Sequence, residues 1–469
     1  MKNRALLVIF IIIPAFLSFA CPAEAQAGGS AEQRTAAHFR SIRNRPLMLQ
    51  VFLRQMPKGG DLHNHLTGAV YAETYIQSAA KEGLCVDLQA LAFTPAPCTD
   101  AQTPAAQALK DPVLYRRLID SFSMRGLRPA SESGHDHFFD TFGKFRFASR
   151  LNPSGMIAEV ASRAAAQNES YMELFLNPDH AAGGQLGDKL GWNDDMAAMR
   201  DKLLSGGLRE IVVGAANSLD RMDADARKLL CATPESPACK MEVRYIYEVY
   251  RESPKEQLFA QALTGFELAS TDPRVVAVNP VMPEDGFVSM RDYELHMRIF
   301  EFMHKTYPNV HISLHAGELA PGLVPPEGLR FHIREAVEIA HAERIGHGVD
   351  VMYEDRPVEL LKEMAKNKVA VEICLSSNDQ ILGVRGDQHP LPEYLRAGVP
   401  VVIATDDEGV ARSSMTGEYQ RAVTDYDLSY FQLRQIVRNS IVYSFADLNT
   451  RTKLLKDLED RFRKFESGF

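Results

Sequence analysis

Residues 310–375 read "VHISLHAGELAPGLVPPEGLRFHIREAVEIAHAERIGHGVDVMYEDRPVELLKEMAKNKVAVEICL". Three short apolar runs, "VHISLHA", "RIGHGV" and "VAVEICL", are rich in β-branched or aliphatic residues and are bounded by turn formers. Between them lie "LRFHIREAVEIAHAE" and "RPVELLKEMAKN", whose apolar residues recur at helical spacing. Strand, helix, strand, helix, strand means parallel pairing with crossover helices.

Working outward, the same unit recurs. "DLHNHL", "YMELFLN", "MEVRYIYEVY" and "VVAVNPV" precede the stretch and "VPVVIAT" follows it, which makes eight strand candidates. Eight repeats predict an α/β fold of the (β/α)8 TIM-barrel type. A ninth candidate, "REIVVGAANS", sits within a long helical pattern and carries little weight. Two regions fall outside the repeat: residues 28–56 predict a helical N-terminal extension, and residues 81–133 predict an insertion after the first strand. The insertion reads as a lid over the barrel mouth, an element of a homodimer, or an ordinary surface loop. After it, "HFFDTFGKFRFASRL" is the first stretch that reads as a barrel helix. The barrel unit as a whole spans residues 57–469. The final "RTKLLKDLEDRFRKFESGF" predicts an exposed amphipathic helix.

The first 27 residues have a basic start at Lys2 and Arg4, an apolar run, and a small-x-small site at Ala25-Gln26-Ala27. This pattern predicts a cleaved signal peptide and a secreted or periplasmic product. Cleavage removes Lys2, Arg4 and Glu24, a net +1, and takes the formal charge from −9 to −10. An acidic chain lacks the basic surface a nucleic-acid partner needs. No later apolar run is long enough to span a membrane. Five cysteines remain, and "CVDLQALAFTPAPC" and "CATPESPAC" each begin and end with one. In an oxidising compartment these predict two local disulfides, with Cys374 a buried thiol.

In such a barrel the active site gathers at the carboxyl ends of the strands. His63 and His65, two apart, point the same way from the first strand. His315 ends the fifth, His347 the sixth, and Asp406 and Asp407 the eighth. Some His-x-His pair is expected by chance about 0.4 times in a chain of this composition, so the motif counts only with its partners. His135 and His137, in "SGHDHFF", fall in no strand. Three neutral imidazoles and a carboxylate suit zinc, with a position left for an activated water.

The motifs "MPKGGDLHNHLTGA", "LHAGE", "IGHG", "EICLSSN", "HPLPEYLRAGVPVVIATDD" and "TGEY" resemble the adenosine deaminase family of the amidohydrolase superfamily, in the family's order. The lead-in, the Cys-bearing insertion and the extension are most similar to its secreted growth-factor branch. The resemblance implies one Zn2+ per chain on His63, His65, His315 and Asp406. It implies Glu318 as the proton donor to purine N1, His347 as the group that orients or deprotonates the water, and Asp407 as the partner of N7. Asp406 can face the metal beside Asp407 only if the strand ends there. A second metal would need a bridging lysine or carboxylate, usually at the end of the fourth strand, which here reads "VVAVNPVMPE" without lysine, and the His-x-Glu with Pro-Cys-x-x-Cys signature of other zinc deaminases is absent. The resemblance implies hydrolytic deamination of adenosine or a related 6-aminopurine nucleoside. The alternative is an amidohydrolase acting on another purine, a nucleotide or a cyclic amide. Two departures bear on substrate: Thr67 replaces an acidic residue that contacts the ribose 5′-hydroxyl, and Met282 replaces a glycine whose amide meets purine N3.

Overall fold

The computed structural model describes residues 29–469. The segment read as a signal peptide, residues 1–27, lies outside them. Eleven strands occur among the described residues: β1 Gly59–His65, β2 Cys85–Asp87, β3 Ala92–Thr94, β4 Gln102–Pro104, β5 Glu169–Leu176, β6 Glu242–Tyr250, β7 Val275–Val281, β8 His311–Ala316, β9 Arg344–His347, β10 Ala370–Ile373 and β11 Val401–Ile403. Eight of them form one parallel sheet in the order β1-β5-β6-β7-β8-β9-β10-β11. The first and last strands meet through a parallel bridge between Asn64 and Asp406. The Asp406 amide donates to the His63 carbonyl at 2.9 Å, and the His65 amide to the Asp406 carbonyl at 3.3 Å. This is the (β/α)8 barrel, and each of its strands falls on a predicted segment.

The ninth strand candidate belongs to the helix Arg209–Leu230. Val212, Ala215, Leu219, Met222, Ala226 and Leu230 are buried at three- and four-residue spacing, and Val213 faces solvent. The helical period over the longer window outweighs the local Val-Val pair.

The interior is held by polar groups as well as packing. Arg344 on β9 is buried with Nε 2.6 Å from Glu372 on β10 and Nη2 2.5 Å from Glu173 on β5. Nη2 also donates to the Leu62 carbonyl of β1 at 3.3 Å. One guanidinium thus ties four barrel strands. Burying such a charge is tolerable only because it is paired.

The N-terminal extension forms the helices Ala31–Ile42 and Pro46–Gln55, and the tail forms Leu448–Glu466. Phe39, Phe52, Tyr430, Phe465 and Phe469 cluster where these meet. The tail helix is amphipathic as expected and buries Leu454, Leu458 and Phe462.

The insertion 81–133 is an ordered unit. β2, β3 and β4 pair antiparallel, and a Cys85–Cys98 disulfide closes this region. Cys231–Cys239 forms the second predicted disulfide, and Cys374 is a buried free thiol. One expectation is corrected. "HFFDTFGKFRFASRL" supplies no barrel helix, because the helix Gly134–Phe145 packs on the helix Leu375–Leu382 that follows β10, above the barrel mouth. The crossover helix that leads into β5 is Pro153–Ala166, started by an Asn152 cap and a proline at its first position. Phe93 meets Phe122, which meets Phe145, and Tyr75 stacks on Phe145 at 4.8 Å. The insertion therefore carries the mouth helix.

Candidate active site

The alternation of β1 turns His63 and His65 to the same side, and both are buried with their Nδ1 atoms held from outside. His63 Nδ1 lies 2.6 Å from Glu372 and His65 Nδ1 3.1 Å from Glu248 on β6. His315, near the end of β8, places Nδ1 2.6 Å from Asn279 Oδ1 on β7. All three Nε2 atoms are thereby directed to one point. His65 Nε2 is 3.2 Å from His315 Nε2 and 3.5 Å from Asp406 Oδ1, and His63 Nε2 is 3.6 Å from Asp406 Oδ1. His63 Nε2 has no hydrogen-bond partner.

Asp406 reaches this point because β11 ends at Ile403 and the chain then turns. Asp406 has φ +59°, a left-handed conformation that non-glycine residues adopt at a cost. The turn lets Asp406 and Asp407 both face the site, as the sequence required.

These residues fit a borderline divalent cation such as zinc. Outward-held imidazoles present lone pairs to one another, and two lone pairs 3.2 Å apart repel unless a positive charge lies between them. The local field favours that charge: burial alone lowers His65, but Asp407, Glu248 and Asp406 outweigh it and push it up to about 10. Burial and the neighbouring imidazoles hold His315 well below the usual histidine range. Three nitrogens with outer carboxylate or amide partners and one carboxylate oxygen match the donor set of a catalytic zinc site.

Around this point lie three more groups. Glu318 follows β8 at the turn Gly317-Glu318, is buried, and has an unpartnered Oε1 3.7 Å from His347 Nδ1. Burial, then the charges of Asp406, Glu284 and Asp407, raise its carboxyl well above the usual glutamate range. His347 Nδ1 accepts from Asn378 Nδ2 at 3.0 Å, and Nε2 is unpartnered. Burial lowers this imidazole to about 4 and keeps it neutral. Asp407 is buried with an unpartnered Oδ1, and burial and Asp406 raise its carboxyl.

These groups floor a chamber of about 650 Å3. Its walls include Phe138, Phe139 and Phe142 of the mouth helix, Ile381, Val281 and Met282. No lysine or arginine among the described residues lines it, whereas Glu248, Glu252, Glu318, Asp406 and Asp407 do. Thr67 and Met282 both line it, and Met282 keeps a left-handed φ of +85° with its side chain 44% exposed. His135 and His137 stay apart from the centre. His135 Nε2 is 3.0 Å from Asp285, and His137 Nε2 3.1 Å from the Ser123 carbonyl.

Of the nine residues singled out from sequence, eight line one chamber, and the ninth, His63, lies just beneath it with its Nε2 3.6 Å from Asp406. The phenylalanine wall and the outer partners Glu248, Asn279 and Glu372 were missed. For Glu248 and Glu372 a signal was present: a carboxylate inside an apolar strand, as in "YIYEVY" or "VAVEICL", must find a buried partner.

The family model for adenosine deaminase matches residues 148–461. An adenosine deaminase of Shewanella pealeana is 24% identical over 413 residues, covering 86% of this chain and 99% of that one. The apo N6-methyl-AMP deaminase of Arabidopsis thaliana superposes with a TM-score of 0.59 at 19% identity, over 88% of this chain and 98% of that one. A zinc-bound amidohydrolase from Burkhoderia ambifaria gives 0.58 at 18% identity, over 89% and 94%. With more than half of its length matched by the family model, the chain belongs to the adenosine deaminase family and is a hydrolytic deaminase.

Proposed function

We propose that the chain deaminates adenosine or a close 6-aminopurine nucleoside, with one zinc ion held by His63, His65, His315 and Asp406. The observation that carries this reading is the convergence of three outward-anchored imidazoles and a carboxylate beside the buried, unpartnered carboxyl of Glu318. Zinc held there would supply a Lewis acid and would lower the pKa of a water to about 7. Glu318 gives its proton to purine N1, which makes C6 electron-poor. Neutral His347, whose Nδ1 accepts from Asn378 and whose Nε2 therefore carries the hydrogen, orients the incoming water. Asp407, its carboxyl raised, donates a hydrogen bond to N7 and sets the ring's orientation. Water oxygen bonds to C6 and the C6–N6 bond breaks; one water proton leaves with the amino group as ammonia, the other restores the Glu318 carboxyl, and N1 keeps the proton it received.

The chamber's charge supports a neutral substrate. A 5′-phosphate would enter a space lined by five carboxyl groups and by no lysine or arginine, so adenosine should exceed AMP in kcat/KM by on the order of 100-fold. Thr67 and Met282 favour a second reading, a 6-aminopurine other than adenosine, because both line the chamber where the family's pattern has an acidic residue and a glycine. A spectrophotometric assay of adenosine, 2′-deoxyadenosine, adenine and AMP, with bound metal measured on the same sample, separates the two. Protein that holds no divalent metal and releases no ammonia from any of them overturns both.

The disulfides Cys85–Cys98 and Cys231–Cys239 support export to an oxidising compartment. Thiol counting on unfolded, unreduced protein from its native host checks this; five free thiols overturn it.

A further inference from the structure

Glu284 follows β7 and is buried with 1% of its surface exposed, yet it contributes nothing to the chamber lining. Its carboxylate grips the turn that carries Glu318. Oε1 accepts the Gly317 N–H at 3.0 Å and Oε2 the Glu318 N–H at 2.8 Å. Two successive amides converging on one anion, with Gly317 at φ +76°, make a backbone nest with a side chain as its guest. The carboxylate is itself held by His332 Nδ1 at 2.6 Å and lies 3.9 Å from Arg251 Nη1. Arg251 Nη2 in turn donates to the His315 carbonyl at 2.7 Å. The turn has no slack on its other side, because a Cβ at Gly317 would lie 2.5 Å from Asp350 Oδ1 and 2.7 Å from Ile333 Cδ1.

A buried carboxylate is a costly way to satisfy two amides if packing is all that is needed. We propose that Glu284 is a positioning residue for the deamination, holding the Gly317-Glu318 backbone so that the Glu318 carboxyl meets the purine ring. The proposal rests on the reading of Glu318 given above. Glu284 lies outside the chamber lining, and its partners are the Gly317 and Glu318 amides, His332 and Arg251; it acts through Glu318. A glutamine in its place keeps an acceptor for one amide and presents a donor to the other. An aspartate keeps the charge but withdraws it by one methylene.

The test is a double-mutant cycle on the zinc-loaded enzyme with adenosine. Glu284→Gln, Glu284→Asp, Glu318→Gln and Glu284→Gln/Glu318→Gln are compared for kcat, KM, zinc content and Tm. Misplacing a reacting group by about 1 Å costs on the order of 100-fold. Glu284→Gln should therefore lower kcat about 10- to 100-fold, with KM within about twofold and zinc content unchanged. In the Glu318→Gln background the same change should cost less than about twofold, since the group being positioned is gone. Equal losses in both backgrounds, an effect confined to KM, or loss of zinc would overturn the proposal. If Glu284→Gln does not fold, the cycle is run with Glu284→Asp and read the same way. A zinc-loaded wild type inactive on every 6-aminopurine removes the functional reading itself, whereas an active wild type with an additive cycle removes only the role of Glu284.

Discussion

Among the carboxylates at the chamber floor, Glu318 and Asp407 each combine an unpartnered oxygen with a carboxyl raised well above its usual range, and Glu318 also stands 3.7 Å from His347. Glu318→Gln should keep zinc and lose roughly 100-fold or more in kcat, while His315→Ala should lose both. Metal content by atomic emission beside steady-state rates decides, and equal zinc loss in the two variants would show that the roles are misassigned. The pH dependence follows with its sign. A proton donor with a raised pKa works until pH climbs through that value, so kcat should fall on the alkaline side and the limb should vanish in Glu318→Gln. His347, lowered to about 4, stays neutral above that pH, so it adds no acid limb in the neutral range. A kcat profile from pH 4.5 to 10 checks both. At this scale the centre was legible because His63, His65, His315, His347 and Asp406 all stand at the carboxyl ends of apolar runs. Glu248, Asn279 and Glu372 were less so, because which neighbouring strand they face is settled by barrel order and not by local pattern.

The mouth helix Gly134–Phe145 shows where element-level reading fails. It buries His137, Phe138, Thr141 and Phe145 on one face, the same spacing a barrel helix would show. Periodicity reports that a helix has an apolar face, not what covers it. The barrel strands were legible from their β-branched or aliphatic runs, but β2, β3 and β4 read CVD, AFT and QTP, with no such run to mark them. Gly134 sits against the Gln380 carbonyl so closely that a Cβ there would be 1.8 Å from the oxygen. Gly134→Ala should therefore push the helix start outward and carry Phe138 and Phe139 from the wall. A loss of about tenfold in kcat/KM, with zinc retained, is the expected outcome, equivalent to about 1.4 kcal/mol. Steady-state kinetics at saturating and limiting adenosine measure it, and an unchanged kcat/KM would detach the wall from catalysis.

At the scale of the whole molecule, Arg344 links the barrel's interior to its chemistry, because Glu372, which it holds, also holds His63. Arg344→Met leaves Glu173 and Glu372 as unpaired buried charges and should cost about 3–5 kcal/mol of stability, read as a lower urea midpoint. Glu372→Gln should weaken zinc binding about 10- to 100-fold, read by competition with a chelator. The fold class was legible because eight strand–helix repeats admit few closed arrangements. The seam that closes the ring, Asn64 beside Asp406, joins positions from opposite ends of the chain; Asn64 also bonds Thr405, 341 residues away in sequence. A polypeptide still emerging from the ribosome therefore owns two histidines of the centre long before it owns the aspartate. Shortened products that stop ahead of residue 406 should bind metal weakly or not at all.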